Sequence, residues 1–276
     1  MSSKAVTIGL QTEVLRESRA QALHALLTSD VVLKCQLTQQ IGDGSAIDSG
    51  AVYEPDAVLP GRPAVPELVS PARLKHRGVQ TVEGRAVMLH AIAHIEFNAI
   101  NLALDIVWRF SGLPDAFYRD WLRVAREEAS HFTMLRQHLL SLGYDYGDFP
   151  AHDGLWEMAV KTSDDLLGRL AMVPRTLEAR GLDASPPIRQ KLYQAGDLRG
   201  AEILDVILRE EIGHVAIGNR WYHWCCEQRG LDSEQAEQVL RQKYSAPRVR
   251  GPFNLQARRE AGFDEAELSR LVQQDT

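Results

Sequence analysis

Residues 207–218 read ILREEIGHVAIG, a strongly helical run that carries Glu211 and His214 three residues apart. On an α-helix this spacing places both side chains on one face. The apolar residues of this run and of its flanking turns form a stripe centred on Glu211, and such a stripe should face the core. An ionised carboxylate buried there costs on the order of several kcal/mol unless something pairs with it. The rest of the chain must therefore supply a partner.

A second Glu-x-x-His pair, Glu128 and His131, repeats the arrangement in another predicted helix. Chance alone would produce roughly one such pair in a chain of this composition, so two would not be surprising and the count by itself carries little weight. Their placement carries more, because Glu128 also lies in the middle of an apolar stripe and polar side chains fill the far side of its helix. Two helices thus repeat one pattern.

Four long helices are predicted, and no period-2 strand pattern of useful length occurs. A turn at residues 111–116 joins the first two, and the loop at residues 143–154 is long enough to allow a crossover. The sequence therefore predicts an all-α fold, a four-helix bundle with a central crossover loop. The predicted helices span residues 82–110, 117–142, 155–180 (with a kink at Pro174) and 198–229.

The regions that flank the bundle differ from it in composition. Residues 12–41 are predicted to be helical, whereas residues 42–71 hold five of the twelve prolines and are predicted to form an extended arm against the body. Ser185, Pro186 and Pro187 predict a loop or short helix. A short helix after residue 230 and an amphipathic one at residues 264–274 are expected in the tail. The predicted domains are an N-terminal helix and Pro-rich arm at 1–80, the bundle at 81–230 and a basic C-terminal extension at 231–276.

Bulk composition is that of a globular protein, with 276 residues, 45% hydrophobic and 25% charged residues. The net charge of −6 gives no general argument for binding nucleic acid or an anionic membrane. We expect no membrane helix, because no apolar run approaches about 18 residues, and no secretory signal at the N-terminus. Three cysteines form neither a disulfide framework nor a CxxC pattern. The expected location is cytoplasmic.

Each remaining bundle helix offers one inward carboxylate, Glu96 on the first and Glu178 on the third. The two halves match in spacing, since Glu96 precedes Glu128 by 32 residues and Glu178 precedes Glu211 by 33. This indicates an internal repeat of Glu followed by Glu-x-x-His. His90 and His94 lie on the opposite, polar face of the first helix and are predicted to be surface or interhelix hydrogen-bonding residues, not ligands.

Four carboxylates buried together would repel one another unless most were protonated. Two divalent cations bring +4 against −4, and neutral His131 and His214 complete a ligand set. Carboxylate oxygens with one imidazole per metal suit iron first, with manganese and zinc as alternatives. The predicted metal ligands are Glu96, Glu128, His131, Glu178, Glu211 and His214. The competing interpretation is that these acids form salt bridges in the core of a purely structural bundle.

Two further acids, Glu127 and Glu210, precede the predicted ligands. Ligating histidines usually give their second N–H to an acceptor. One hypothesis is that Glu127 holds His214 and Glu210 holds His131. The alternative is that both acids face solvent.

The pattern of Glu, Glu-x-x-His, Glu, Glu-x-x-His resembles the ferritin-like di-iron carboxylate superfamily. Seven segments between residues 61 and 263 are similar to one branch, the domain of unknown function four-five-five. They are GRPAVPELVSPARL, HAIAHIEFNAINLALDIVWRF, DWLRVAREEASHF, GYDYGDFPAHDGLW, VPRTLEARGLD, EEIGHVAIGNRW and RGPFNLQARREAGF. The resemblance implies a ferritin-like bundle and the same six metal ligands. The chain is also distantly similar to the tRNA-modifying di-iron hydroxylases.

The resemblance to this branch supplies no reaction, but by analogy with oxidases and oxygenases of the superfamily the leading hypothesis is an oxygen-activating di-iron oxidase or hydroxylase, with molecular oxygen as co-substrate and an electron donor as partner. The alternatives are ferritin-like metal storage or peroxide detoxification, and a structural bundle stabilised by metal. Six basic side chains and no acid occur at residues 241–259, which suggests a phosphate-bearing partner such as tRNA. A tail whose arginines pair with acids of the body is the alternative. Substrate and oligomeric state are left open.

Overall fold

The structure, a computed structural model, describes residues 5–7, 17–74 and 77–273. Helices dominate these residues, and the only strands among them are two segments of three residues each. The all-α prediction is confirmed. The chain divides into two compact units, Met1–Asp153 (unit 1) and Gly154–Thr276 (unit 2). Because the division falls at the predicted central loop, each unit holds one predicted Glu and one Glu-x-x-His pair.

Two long helices, α3 (Val82–Arg109) and α4 (Asp115–Ser141), pack against each other as a hairpin in unit 1. The predicted bounds of both helices are confirmed to within two residues. α3 begins where the Thr81 hydroxyl accepts a hydrogen bond from the Gly84 N–H, as N-caps commonly do. The inward stripe of α4 is buried as predicted, including Trp121, Phe132 and Leu135.

Among the described residues, α3 is the one helix long and apolar enough to cross a membrane by length and composition. This differs from the expectation that no apolar run reaches that limit. However, 72% of the apolar window of α3 is buried inside the protein. Even its predicted polar face is buried, at Asn98, Asn101 and Asp105. This is the burial expected of a core helix.

The single helix predicted for residues 12–41 is wrong, because two helices occupy this region, α1 (Ser18–Leu27) and α2 (Val31–Gln40). The helical structure is interrupted at residues 28–30. There the Asp30 carboxylate accepts a hydrogen bond from the Leu33 N–H and caps α2. Apolar periodicity alone does not register such a cap. Residues 12–16, including Val14 and Leu15 of the prediction, lie outside the described residues.

The Pro-rich arm forms no α-helix, as predicted, and it is held by a buried arginine. Arg19 donates from Nε to the Val107 carbonyl (3.1 Å) and from Nη2 to the Trp108 carbonyl (2.8 Å) at the end of α3. Its Nη1 donates to arm carbonyls, the shortest distance being 2.6 Å to Ala51. Within the arm, β2 (Val52–Glu54) pairs in parallel with β1 (Ala5–Thr7).

Unit 2 does not contain the continuous third helix that was predicted for residues 155–180. Two short α-helices are followed by a π-helical stretch, here called the π segment, and then by a helix that extends well beyond residue 180. The break precedes residue 166, where the Asp165 carboxylate accepts from the Gly168 N–H and caps the next helix. These elements are α5 (Gly154–Lys161), α6 (Leu166–Met172), the π segment (Val173–Glu178) and α7 (Ala179–Gln194).

Prolines lie at two of the deviations from the predicted pattern. Pro174 lies inside the π segment, so the predicted disturbance is confirmed at that position and takes the form of a π turn. Pro186 and Pro187 were predicted to form a loop or short helix and instead lie inside α7. A proline at 186 donates no hydrogen bond to the Leu182 carbonyl. The Asn254 side chain does so in its place, at 3.3 Å.

The fourth long helix, α8 (Leu198–Gln228), confirms its prediction to within one residue. It packs against α6, the π segment and α7 within unit 2. The tail contains α9 (Ser233–Lys243), the unpredicted α10 (Leu255–Glu260) and α11 (Glu265–Gln273). The predicted final helix is thus confirmed as far as residue 273, and Gln274 lies outside the described residues. The three-domain division stays a prediction.

Candidate metal centre

Three predicted ligands of unit 1 meet in its core. Nδ1 of His131 lies 3.1 Å from Oε2 of Glu96 and 3.3 Å from Oε2 of Glu128. Potential ligand atoms of all three lie within 4.8 Å of one another, and each residue is at most 4% exposed. The α3–α4 hairpin therefore brings Glu96, Glu128 and His131 together as predicted. This buried group could hold a metal ion.

The electrostatics of this cluster are those of charges that share one small buried space. Burial, followed by the neighbouring Glu128 carboxylate, raises the pKa of Glu96 to about 7. Burial alone would lower the pKa of His131, but hydrogen bonds to Glu128 and Glu96 outweigh it and raise the pKa to about 11. An imidazolium thus balances carboxylate charge in the metal-free protein. A divalent cation could take over that role.

Three aromatic rings of unit 1 pack against one another, and two of them belong to residues next to the clustered ones in the chain. Phe97 and Phe132 follow Glu96 and His131 in the chain, and their ring centroids lie 5.1 Å apart. Tyr146, from the loop after α4, packs edge-on to Phe132 at 5.0 Å and tilted to Phe97 at 5.4 Å. All three rings are buried.

In unit 2, α8 carries the second Glu-x-x-His pair. Nδ1 of His214 lies 3.2 Å from Oε1 of Glu211, and both residues are buried. The neighbouring helix turns contribute buried Ile207, Val215 and Gly218. The prediction that Glu211 lies in the buried stripe of this helix is therefore confirmed.

Glu178 is the last residue of the π segment. It is half-buried, with its Oε2 atom enclosed by protein. The prediction placed it in an apolar stripe by counting along one continuous α-helix from Leu167. That count does not apply, because a π turn holds more residues than an α turn and shifts the face of every later residue. Its assignment as a metal ligand stays a prediction.

The two proposed outer acids are half-buried and lie next to arginines. Oε1 of Glu127 lies 4.0 Å from Nε of Arg123, and Oε1 of Glu210 accepts from Nη2 of Arg209 at 3.0 Å. Each keeps about a third of its side chain exposed. Both therefore have a cationic neighbour on their own helix. Their proposed contacts with the histidines stay predictions.

The surface placement predicted for His90 and His94 is wrong, because both are buried. Their hydrogen-bonding role is confirmed, and the partners lie in the loop after α4. His90 Nε2 accepts from the Gly147 N–H at 2.9 Å. His94 Nδ1 lies 2.8 Å from the Tyr146 hydroxyl. Burial lowers the pKa of each histidine to about 4, so the neutral rings hold this loop on α3 at neutral pH.

Several basic residues of the tail contact acids within unit 2. Arg258 donates from Nε and Nη2 to the two oxygens of Asp183, at 3.0 and 2.6 Å. Lys243 contacts Asp165 at 2.9 Å, and Arg259 pairs with Glu265. These pairs agree with the alternative interpretation, a tail braced by its own arginines. An external partner for the tail stays a prediction.

Arg175 in the π segment is among the buried cations that were not predicted from the sequence. It contacts the carboxylates of Glu237 and Glu267 and is 4% exposed. A signal was available, since an arginine directly after Pro174 stands within an otherwise apolar helical run. A charge in such a position requires buried partners. The distant acids that supply them could not be identified from spacing.

Fold and site define a class, an all-α protein with a buried glutamate–histidine group that could hold a metal ion. The particular family follows from comparison with known proteins. The family described as "Protein of unknown function (DUF455)" matches residues 17–269, and the chain belongs to it. An "Uncharacterized protein" of Haemophilus influenzae (strain ATCC 51907 / DSM 11121 / KW20 / Rd) is 45% identical over 271 residues, which cover 93% of this chain and 94% of the relative. No solved structure matches the chain.

Proposed function

We propose that this protein is a dinuclear metal protein, with iron as its metal, that activates molecular oxygen to oxidise or hydroxylate a substrate. The observation that carries the proposal is the buried meeting of Glu96, Glu128 and His131 in unit 1. Burying two acids side by side is unfavourable for folding alone. A cation-binding role gives the arrangement a purpose that a structural core does not require.

The proposed ligands are one set from each unit. Glu96, Glu128 and His131 come from unit 1, and Glu178, Glu211 and His214 come from unit 2. Four carboxylates balance two divalent ions, and oxygen with imidazole donors suits iron, with manganese or zinc as alternatives. The repeated order of ligands along the chain supports the second set. A bound iron pair would supply electrons to oxygen and oxidising power toward a substrate.

The protein's own residues have three roles in this proposal. The carboxylates hold the cations and offset their charge. The histidines give nitrogen ligands. His131 must first lose the extra proton that it holds in the metal-free state. The burial of Glu96, Glu128 and His131 themselves would keep water away from a bound ion.

We also propose that the helices form a ferritin-like four-helix bundle with a central crossover loop. The α3–α4 hairpin of unit 1 supplies two of the four helices. In unit 2, α8 and the broken helix of α6, the π segment and α7 would supply the others. Support comes from the all-α fold and from the resemblance of the ligand pattern. A crystal structure of the metal-loaded protein tests this arrangement directly.

The function is tested by anaerobic loading with Fe(II), followed by exposure to oxygen. Metal stoichiometry and visible absorption are the readouts. We expect two irons per chain and an absorption change on oxygenation. Iron binding without any oxygen reaction would favour the structural alternative. Iron turnover into a mineral would favour storage. Absence of bound metal after proper loading would overturn the proposal.

Variants separate the two ligand sets. Glu128→Ala and Glu211→Ala should each lower the iron content, because each removes a proposed ligand. Glu83→Ala on α3 and Glu157→Ala on α5 are matched controls, since both acids are exposed. Equal iron content in all four variants would contradict the ligand assignment.

The outer acids have a separate test. If Glu210 orients a ligating histidine, Glu210→Ala should weaken iron binding by about 10- to 100-fold. The comparison variant is Glu202→Ala, an exposed acid on the same helix. Unchanged affinity in Glu210→Ala would leave that residue as a partner of Arg209 only.

The substrate is proposed to be a small molecule or a tRNA, and an electron donor would be needed for an oxygenase. The basic tail motivates the tRNA alternative. Binding of tRNA is measured by filter retention at two salt concentrations. A phosphate contact predicts binding that weakens as salt rises. Absence of retention at low salt would remove tRNA as a partner.

A further inference from the structure

Arg175 links the π segment to helices that are distant from it in the sequence. The Arg175 guanidinium donates from Nη1 to the Asn219 amide oxygen on α8. Its Nη2 donates to Glu237 on α9, at 2.8 Å, and to Glu267 on α11. One side chain therefore ties the π segment to three other helices of unit 2.

Aromatic rings complete the enclosure of this guanidinium. Its central carbon lies 4.4 Å from the centroid of Tyr222 and 5.1 Å from that of Phe263. A planar guanidinium near aromatic faces gains cation–π attraction that is stronger when desolvated. Both carboxylates are themselves largely buried, with side chains 25% and 13% exposed. The geometry around Arg175 is thus specific to a planar cation with several donors.

Further contacts fix the same turn. The Thr176 hydroxyl donates to the carbonyl of Ala171, five residues earlier, at 2.8 Å. Arg241 from α9 contacts that hydroxyl at 3.3 Å. Gly218 of α8 passes so close to Pro174 that a Cβ there would lie 2.4 Å from the proline Cβ. A π turn is rare and persists where its surroundings over-determine it.

The direction of Glu178 depends on this turn. If the π segment relaxed to a regular α-helix, its turn would contain one residue fewer, and the following residues would shift along the helix. Each later side chain would then rotate by about 100° around the helix axis. Glu178, the last residue of the segment, would present its carboxylate to a different face.

We propose that Arg175 is a positioning residue, which, through the π segment, sets the direction in which Glu178 presents its carboxylate to a metal ion. This inference rests on the proposed function, because it requires Glu178 to be a ligand. Arg175 itself touches no metal. The tail helices α9 and α11 then affect metal binding indirectly, because their acids Glu237 and Glu267 hold Arg175 in place.

The test uses the full chain with Arg175→Gln, Arg175→Lys and Glu267→Gln. The control is Arg259→Gln, which breaks a tail ion pair with Glu265 that does not involve the π segment. Each variant is titrated anaerobically with Fe(II) and with Co(II), and the Co(II) absorption spectrum reports ligand geometry. Urea denaturation of the metal-free proteins reports stability separately.

We expect wild type to bind two ions. Arg175→Gln should bind the second ion about 10- to 100-fold more weakly, as for other residues that orient ligands, with an altered Co(II) spectrum. Arg175→Lys should be intermediate, because lysine keeps the charge but not the planar fork. Glu267→Gln is the mildest change and should shift the spectrum while the protein stays folded. Arg259→Gln should match wild type.

Three outcomes overturn the inference. One is Arg175→Gln with wild-type affinity and spectrum for both ions. Another is an equal loss in Arg259→Gln, which would show general loosening of the tail. The third is an unfolded Arg175→Gln together with Arg175→Lys and Glu267→Gln that bind both ions normally. If wild type itself binds no metal, the proposed function has failed, and this result is distinguishable from the other three.

Discussion

In unit 1 the three clustered side chains stand on two uninterrupted α-helices, α3 and α4. In unit 2 Glu211 and His214 stand on one such helix, α8, whereas Glu178 ends a π segment. The two units share an order of residues and nearly the same spacing, but they do not share local backbone structure. Unit 1 positions its carboxylates by regular helix packing. In unit 2 the π segment that ends at Glu178 packs through Pro174 against Gly218 and through Arg175 against distant acids, so equal spacing in the sequence does not ensure equal geometry.

The largest effect should come from removing the imidazolium of unit 1. In the metal-free protein, His131→Ala leaves Glu96 and Glu128 buried together without their cation. We expect a loss of about 3–5 kcal/mol in the free energy of unfolding, measured by urea denaturation after chelation. His138→Ala, at the other buried histidine of α4, is the control. Equal losses in both variants would show that the cluster has no special electrostatic role.

A second test uses pH. The pKa of His90 is lowered by burial to about 4 against 6.5, and the carboxylates of Asp148 and Asp145 only partly oppose this. Between these two pH values the unfolded chain therefore binds more protons than the folded chain. The stability that neutral His90 contributes is complete above pH 6.5 and is lost as the pH falls toward 4. The loss is at most about 3 kcal/mol.

His90→Gln should reduce this acid loss, because glutamine can still accept from the Gly147 N–H but does not titrate. In unit 2, burial also lowers the pKa of His223, but that ring is only half-buried. His223→Gln should therefore change the acid limb less. Urea denaturation at pH 7 and pH 5 measures both. An unchanged acid limb in His90→Gln would contradict the assignment.

A pair of glycines on α8 separates close packing from helix propensity. Gly218→Ala would place a Cβ against the rigid ring of Pro174, and we expect a loss of about 1–3 kcal/mol. Gly213→Ala meets no atom within 4 Å and should gain about 0.5–1 kcal/mol. Thermal unfolding of the two variants decides the matter. A stabilising Gly218→Ala would mean that the π segment can move away without cost.

The smallest effects should come from helix caps. Thr81→Ala in unit 1 removes one hydrogen bond to the Gly84 N–H and should cost about 1 kcal/mol. Asp165→Ala in unit 2 should cost somewhat more, about 1–2 kcal/mol. Its carboxylate also accepts from Lys243 and Tyr244 of the tail. Asp165→Asn, which keeps the cap, should lie between wild type and alanine when measured by urea denaturation. Equal costs at both caps would show that the tail contacts add nothing.

The helices that sequence predicted well are α3, α4 and α8. Each has a long apolar stripe, and each begins at a recognisable boundary, so its ends fall within two residues of the prediction. The inward positions of Glu96, Glu128 and Glu211 followed from the same periodicity. Periodicity succeeds here because burial of one continuous face is what stabilises a long helix.

The broken third helix could not be predicted in the same way. Its π segment depends on contacts with residues far along the chain, such as Glu267 with Arg175. Pro186 and Pro187 contradict a helix by local preference, and the compensating Asn254 is distant in sequence. His90 and His94 were misplaced because the loop that covers them is not visible in helix periodicity. In each case tertiary partners outweigh the local signal.

The buried Arg19 should make the Pro-rich arm more resistant to proteolysis than its composition suggests. Proline-rich and glycine-rich stretches of this kind are ordinarily the first sites that proteases cut. Lifting this arm would leave the Arg19 donors buried without the carbonyls of Asp48, Ser49 and Ala51. Its detachment should therefore require unit 1 to open as well. Under native conditions with excess protease the arm should be cleaved at the rate at which unit 1 opens, and its resistance to digestion becomes a gauge of that opening rate.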